Sequence, residues 1–262
     1  MSSGRVALPS LLGLYCSGIY AFLYLPLAVM FAFSFNDSRR NVVWKGFTVK
    51  WYSALVGNRE ILGALGTSLK LAVVSALVAS ALGLLAAYAM TRHPRFRGRA
   101  AYSILLAVPL MMPEIVMGVG LLSFLVKTGI PLNFWTLACA HALIALPYTS
   151  SALRARFLSL KDARLEEAAM DLGATELAAF WKVTIPQASP AILAGALLAF
   201  TVSFEDFVTS FFIAGIGLVT LPIKIYSMIK FGVTPEINAL ASVLVAVTLS
   251  ALVANRFIKR AA

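Results

Sequence analysis

The chain has 262 residues, of which 60% are hydrophobic and only 13% are charged, whereas about a quarter of the residues in a soluble domain are charged. With a mean hydropathy of +0.88, this composition excludes an ordinary soluble domain and indicates an integral membrane protein. The net charge of +11 would suit a nucleic-acid binder, but basic residues of membrane proteins gather in cytoplasmic loops, so we expect no nucleic acid among the partners.

Six apolar runs are long enough to cross a bilayer, which takes about 20 residues. In chain order the predicted spans cover residues 11–35, 67–90, 102–126, 134–153, 190–214 and 237–257. No small-residue cleavage site follows the first run before Asn36, so we interpret this run as a retained span and not as a signal peptide. The sequence thus predicts an all-α integral membrane protein, with residues 1–262 forming a single transmembrane domain.

The distribution of basic residues predicts the orientation of the spans. An even number of spans places both termini on one side, and the short loop after the second span holds Arg92, Arg95, Arg97 and Arg99 without an acid. Together with Arg5, the fourth loop and the C-terminus, that side carries more than half of the 22 Lys and Arg residues. Because such residues are retained on the cytoplasmic side, we expect both termini in the cytoplasm.

A charged segment, residues 154–189, separates the fourth and fifth spans and contains RLEEAAMDLGATELAAFWKVTIPQASP. Leu165, Leu172 and two alanines between them fall on one face of a helix. Asp162 is placed to cap the start of this helix, and Gly173 is suited to end it in a left-handed conformation. We therefore predict a cytoplasmic helix–turn–helix, which two prolines separate from the fifth span.

The stretch EAAMDLG, followed nine residues later by VTIP, closely resembles the EAA loop of ABC importer permeases. The matching positions are Glu167, Ala168, Ala169, Gly173 and Pro186. This resemblance implies a type I ABC importer permease fold, in which the loop forms a coupling helix that docks on a cytoplasmic ATPase dimer. ATP and Mg would then be bound by that partner, because this chain has no G-x-x-x-x-G-K-[ST] phosphate loop, and we expect no cofactor in the chain itself.

From about Tyr20 onward the chain resembles the second permease subunit of spermidine/putrescine importers. The resemblance runs in order through FNDSRR, GFTVKWYSAL, MMPEIVMG, FTVSFEDFVTSFF and LPIKIYSMIKFGVTPEINALA. It implies a homologous second permease, a pore between the two permeases, a periplasmic or extracellular substrate-binding protein and a bacterial inner membrane. It also implies polyamine import, although related permeases carry other amines, opines, aminophosphonates, iron or sulfate.

Acidic residues inside the apolar runs are the candidates for a substrate path. Glu205 and Asp206 lie in the fifth predicted span and Glu114 lies near the middle of the third. An acid at the bilayer centre costs about 2.5–3.5 kcal/mol, which is tolerated where it faces a bundle interior or a wet cavity. Carboxylates beside aromatic rings suit a small cationic solute. Ser203 is a weaker candidate, and Trp51 matches an aromatic residue of the resembled family near the outer face.

Each candidate also has a structural interpretation. Glu205 and Asp206 point about 100° apart on a helix, so one or both could bond a neighbouring helix or act in gating, and Trp51 could serve packing alone. A membrane enzyme would need facing carboxylates at a set separation, and we see no metal-ligand spacing or Ser/His/Asp set around His93 or His141. A proton-coupled secondary transporter would use the acids as relays, but the coupling-loop match argues against that class.

Overall fold

A computed structural model describes residues 7–38, 43–92, 98–162, 164–230 and 232–261. These ranges are mainly helical and contain no β-strand, although an isolated bridge joins Asn36 and Phe47. A π-helical turn, Phe180–Thr184, lies between the eighth and ninth α-helices. The α-helices are α1 Ala7–Phe33, α2 Lys50–Gly57, α3 Arg59–Arg92, α4 Arg99–Met111, α5 Glu114–Thr128, α6 Phe134–Asp162, α7 Leu165–Asp171, α8 Glu176–Ala179, α9 Ile185–Glu205, α10 Val208–Ile213, α11 Leu221–Lys230 and α12 Pro235–Ala261.

By length and composition, four helices of the described chain could cross a membrane, or five if the bent pair α4–α5 is counted as one span. The first, second and fourth predicted spans correspond to α1, α3 and α6. The third predicted span, residues 102–126, is wrong as a single helix because α4 and α5 meet at an angle of 116°. The sixth corresponds to α12, whose apolar stretch Pro235–Ser250 falls short of a full span in the described part of the chain.

The fifth predicted span, residues 190–214, is both shifted and interrupted. A continuous helical run, Glu176–Glu205, joins α8, the π-helical turn and α9, so Pro186 and Pro190 do not separate the loop from the span as predicted. Proline lacks an N–H and its ring crowds the carbonyl four residues earlier, and the wider π-helical turn just before Pro186 accommodates both effects. The run ends at Glu205, inside the predicted span.

The chain divides into two compact units, and the prediction of a single domain over residues 1–262 stays a prediction. The first unit comprises residues 1–62 and 225–262, and in it α12 packs against α1 and α2. Asn58 caps α3, because its side-chain oxygen accepts the backbone N–H groups of Glu60 and Ile61. The Asn58 amide also donates to Glu236 at 3.0 Å, which ties the start of α3 to α12.

The second unit, residues 63–224, is built on α3, α6 and α9. Small side chains and hydroxyl groups hold these helices, as is typical of packing between membrane helices. The Thr149 hydroxyl of α6 donates to the Ala79 carbonyl of α3 at 2.9 Å, and a Cβ added at Gly83 would stand 2.3 Å from the Thr149 Oγ1. The buried alanine cluster between the three helices comprises Ala76, Ala79, Ala142, Ala145 and Ala199.

Candidate functional site

The two adjacent acids of the TVSFEDFVTSFF stretch lie where α9 ends. Glu205 is the last residue of α9 and its side chain is exposed, whereas Asp206 has an extended backbone and is half-buried. The Asp206 Oδ1 accepts the backbone N–H of Thr209 at 2.8 Å and so caps the start of α10. The helix therefore breaks between the acids, and the two carboxylates have different surroundings.

A buried imidazole faces this break from α6. His141 is 1% exposed, and its Nδ1 lies 2.9 Å from the Ser203 Oγ of α9. Its Nε2 lies 3.2 Å from the Ser210 Oγ of α10 and 3.8 Å from the Asp206 Oδ2. Four polar side chains from three elements thus form one cluster inside an otherwise apolar part of the second unit.

Sequence reasoning missed this cluster, because it found no serine and acid partner for His141. The two serines are 62 and 69 residues from His141 along the chain, and only the packing of α6 against α9 and α10 brings them together. The set does not resemble a hydrolase triad: Asp206 shares a ring nitrogen with Ser210, and Ser203 is 4% exposed, so no accessible nucleophile is present among them. The only signal in the sequence was a histidine within an apolar span.

Glu114 lies at the second break, between α4 and α5. Met112 and Pro113 are extended there, since a proline disfavours helical backbone in the residue before it. Glu114 is the first residue of α5 and its side chain is exposed, in a position where the helix dipole stabilises a carboxylate. One turn later, a Cβ added at Gly118 would stand 2.8 Å from the Phe212 ring, so α5 packs closely on α10.

Trp51 belongs to the first compact unit, whereas the other substrate-path candidates belong to the second. Its indole Nε1 donates to the Asn36 carbonyl at 2.8 Å, and the side chain is half-buried. The Lys50 Nζ lies 5.0 Å from the centre of the Trp51 ring, within the range of a cation–π contact. Trp51 therefore has a clear packing role, holding α2 against the chain that follows α1.

The predicted coupling loop forms a hairpin of α7 and α8. Gly173 ends α7 with a φ of 92°, the Gly173 N–H bonds the Met170 carbonyl and the Ala174 N–H bonds the Ala169 carbonyl. This is the pattern of a Schellman cap, which requires a left-handed residue at that position. The capping position of α7, predicted for Asp162, is occupied by Arg164, and Asp162 is the last residue of α6.

The hairpin turns an acid inward and leaves apolar groups outside. The Glu166 carboxylate is 14% exposed, lies 2.9 Å from the Arg92 Nη2 at the end of α3, and accepts a hydrogen bond from the Thr184 hydroxyl of the π-helical turn. Leu172, predicted for the apolar face of this helix, is 90% exposed. The ion pair explains the rotation, because burying Glu166 against Arg92 directs Leu172 outward.

In this coupling hairpin of α7 and α8, and at Pro186 near the start of α9, four of the five residues matching the EAA pattern are exposed. The Glu167 carboxylate is 52% exposed and lies 4.0 Å from the Arg164 Nε. Ala168, Gly173 and Pro186 are exposed, while Ala169 is half-buried. Two more large apolar side chains are exposed beside them, Leu177 at 69% and Trp181 at 59%.

Comparison with known proteins gives consistent results. A family model described as "Binding-protein-dependent transport system inner membrane component" matches residues 79–262. The spermidine/putrescine transport system permease protein PotC of Escherichia coli is 43% identical over 248 residues, covering 95% of this chain and 93% of that protein. The putrescine transport system permease protein PotI of the same organism is 38% identical over 231 residues, covering 86% of this chain and 82% of that protein.

A solved structure supports the fold. The crystal structure of an amino acid ABC transporter with histidines superimposes with a TM-score of 0.60 at 24% identity. The match covers 82% of this chain and 100% of that chain. The fold is therefore that of an ABC transporter permease, as the EAA-like loop led us to expect.

Proposed function

Because the chain belongs to the family of binding-protein-dependent transport system inner membrane components, we propose that it is a permease subunit of an ATP-driven polyamine importer. It is a transport subunit and not an enzyme. The observation that carries the proposal is the 43% identity, over 95% of the chain, to a protein named for spermidine/putrescine transport. The chain would form half of a translocation pathway whose other half is a homologous permease.

The cargo class follows from the exposed acids. Glu205 exposes its carboxylate at the break between α9 and α10, and Glu114 exposes its carboxylate at the break between α4 and α5. The two breaks are joined by the packing of α5 on α10. A carboxylate at such a break attracts a cation and disfavours an anion. Phe204 and Phe207 flank Glu205 and Asp206 in the chain and provide rings for cation–π contacts with ammonium groups. A small polycation with spaced ammonium groups fits these features.

The coupling hairpin supplies the surface for the ATPase dimer, which would bind ATP and Mg. Leu172, Leu177 and Trp181 are all more than half exposed in the chain alone. Large apolar side chains exposed in the hairpin and in the π-helical turn after it are typical of a protein interface. Glu167 stands beside them with a largely solvated carboxylate, free to meet a basic group of the partner. A periplasmic or extracellular binding protein would deliver the cargo on the opposite side.

We place the chain in a bacterial inner membrane with both termini in the cytoplasm. The orientation rests on the distribution of basic residues. Of these, Arg92 and Arg99 are described by the structure, while Arg5, Arg95 and Arg97 lie outside the described residues. The Glu166–Arg92 ion pair keeps the coupling hairpin at the end of α3, which supports its assignment to the basic side, where an ATPase partner would bind.

The test is uptake of labelled putrescine and spermidine by proteoliposomes that contain this chain, its partner permease, the ATPase and the binding protein. Glu205→Gln removes the charge and keeps the shape, while Thr201→Val changes an exposed residue one turn earlier on the same face of α9 without altering charge. We expect wild type and Thr201→Val to import a polyamine and Glu205→Gln to lose most uptake.

Three results would overturn parts of the proposal. If wild type moves neither polyamine while its ATPase responds to the binding protein, the cargo is another small amine or organic solute. If uptake stops when the proton gradient is collapsed although ATP is present, the chain works as a proton-coupled transporter. Uptake by Glu205→Gln equal to wild type would remove Glu205 from the cargo path.

A further inference from the structure

A buried side chain of another helix contacts both sides of the break between α9 and α10. His141 of α6 reaches Ser203, which lies before the break, and Ser210, which lies after it. It also faces Asp206, which lies in the break and caps α10 through Thr209.

The surroundings of the ring indicate which nitrogen carries the proton. The Asp206 Oδ2 and the Ser210 Oγ both lie on the Nε2 side, at 3.8 and 3.2 Å. An N–H at Nε2 points its positive end at the carboxylate, whereas a lone pair there would face the carboxylate oxygen and be repelled. Nδ1 then carries the lone pair and accepts the Ser203 hydroxyl at 2.9 Å. A neutral His141 with this proton position accepts from Ser203, donates to the Ser210 Oγ at 3.2 Å, and turns its N–H side toward Asp206, which at 3.8 Å lies beyond hydrogen-bond distance.

We propose that His141 is a positioning residue for the cargo path: its imidazole fixes Ser203 and Asp206 and thereby places the exposed Glu205 carboxylate between them. The proposal rests on the proposed function, because it assigns His141 a role only through that path. Glu205 has no bond of its own to the cluster, but it lies two residues after Ser203 and directly before Asp206. Its position follows from where α9 ends, and His141 holds that end.

The physical reason is that the buried hydroxyl groups of the cluster lose their hydrogen-bond partner when the imidazole ring is removed. Ser203 is 4% and Ser210 0% exposed, so loss of the imidazole leaves their hydroxyls in an apolar region. A buried polar group without its partner rearranges to regain one. Ser203 would turn to the carbonyl of the preceding helical turn, and Asp206 would turn toward water, which shifts the end of α9. A change of this kind displaces Glu205 without touching it.

The test compares His141→Gln, His141→Asn and His141→Leu in the complete importer in proteoliposomes. The glutamine amide reaches the place of Nε2, the asparagine amide only that of Nδ1, and leucine reaches neither as a polar group. Ser150→Ala is the control, because Ser150 lies on the same helix, is 3% exposed, and has no hydrogen-bond partner among the described residues. The readouts are polyamine uptake per ATP hydrolysed and ATPase stimulation by the binding protein.

We expect His141→Leu to lose about tenfold in uptake per ATP, the scale of leaving one buried hydroxyl without its partner, with ATPase stimulation retained. His141→Gln should recover most of the loss and His141→Asn should not, since contact with Asp206 is what matters. Ser150→Ala should match wild type. In an Asp206→Asn background, His141→Leu should add no further loss, because the histidine acts through that carboxylate.

Three outcomes contradict the proposal. Wild-type uptake per ATP in His141→Leu shows that the ring does not place Glu205. Equal loss of uptake and of ATPase stimulation in His141→Gln and His141→Leu shows a purely structural role. Absence of polyamine uptake in wild type overturns the proposed function and this inference with it, so the two failures are told apart by wild type alone.

Discussion

Replacing Glu166 by glutamine should loosen the coupling hairpin from the rest of the second unit. The Glu166 carboxylate is 14% exposed and joins Arg92, 28% exposed, at 2.9 Å, and it also accepts the Thr184 hydroxyl. It therefore ties α7 to the end of α3 and to the π-helical turn before α9. Glutamine keeps the size and the contact with Thr184 but removes the charge that Arg92 faces.

The size of the effect follows from this geometry. Two unit charges 2.9 Å apart at an effective dielectric constant of about 20 attract by about 6 kcal/mol. Desolvation of the two partly buried side chains offsets most of this attraction, and removing one partner of such a pair costs a net of about 2 kcal/mol. The equilibrium between a docked and a loosened hairpin should therefore shift about 30-fold toward the loosened form.

Two measurements check the result. The thermal unfolding midpoint of the purified complex should fall in Glu166→Gln, and binding-protein-stimulated ATPase activity should become uncoupled from uptake. Exchange of the two charges, Arg92→Glu with Glu166→Arg, should restore part of both. Glu167 is the matched control: its carboxylate is 52% exposed and 4.0 Å from Arg164, a surface pair worth under about 1 kcal/mol.

Glu167→Gln should leave the unfolding midpoint unchanged, whereas Glu167→Lys should uncouple transport from ATP hydrolysis by inverting the charge at the docking surface. The reasoning is refuted if Glu166→Gln matches wild type in both measurements, or if the exchanged pair is no better than either single reversal. Wild-type ATPase stimulation and uptake in Glu167→Lys would remove Glu167 from the docking surface.

Three further predictions concern packing and docking. Gly83→Ala should destabilise the complex by about 1–3 kcal/mol, because its Cβ would stand 2.3 Å from the Thr149 Oγ1, whereas Gly120→Ala, with nothing within 4 Å, should not lower the unfolding midpoint. Trp51→Phe removes the 2.8 Å indole hydrogen bond and should lower the midpoint while polyamine uptake persists; loss of uptake at an unchanged midpoint would instead indicate cargo contact. Leu172→Asp should leave the midpoint of the chain unchanged and reduce ATPase binding in a pull-down, because this side chain is 90% exposed.

The sequence was informative where long apolar runs or fixed spacings decide the structure. Residues 67–90 were predicted as a span and lie within α3, and the Gly173 stop is a left-handed cap as its residue type indicates. The two breaks in the helices, before Glu114 and at Asp206, were harder to predict. A pair of prolines such as Pro109 and Pro113 is compatible with a kink or with a sharp bend, and packing of α5 on α10 decides for the bend. No proline or glycine lies at the break at Asp206, so no helix-breaking residue predicts it from the sequence.

The candidate site depended on contacts that no local pattern encodes. His141 meets serines more than 60 residues away, so its partners appear only when α6 packs beside α9. Likewise, the heptad-like spacing in α7 predicted an apolar face through Leu165 and Leu172, but the spacing alone does not fix the rotation of so short a helix. The ion pair from Arg92 fixes it, and it comes from a different part of the chain.

The continuous helical run Glu176–Glu205 has a mechanical consequence. At 1.5 Å per residue, its 30 residues form a rod of roughly 45 Å. One end carries Leu177 and Trp181 of the docking surface and the other end carries Glu205. A tilt of about 5° at the first end would swing the second by roughly 4 Å, with no loop between them to absorb the movement. Under the proposed function, a lever of this length would turn a small displacement by the ATPase into a change in where the carboxylate meets its cargo.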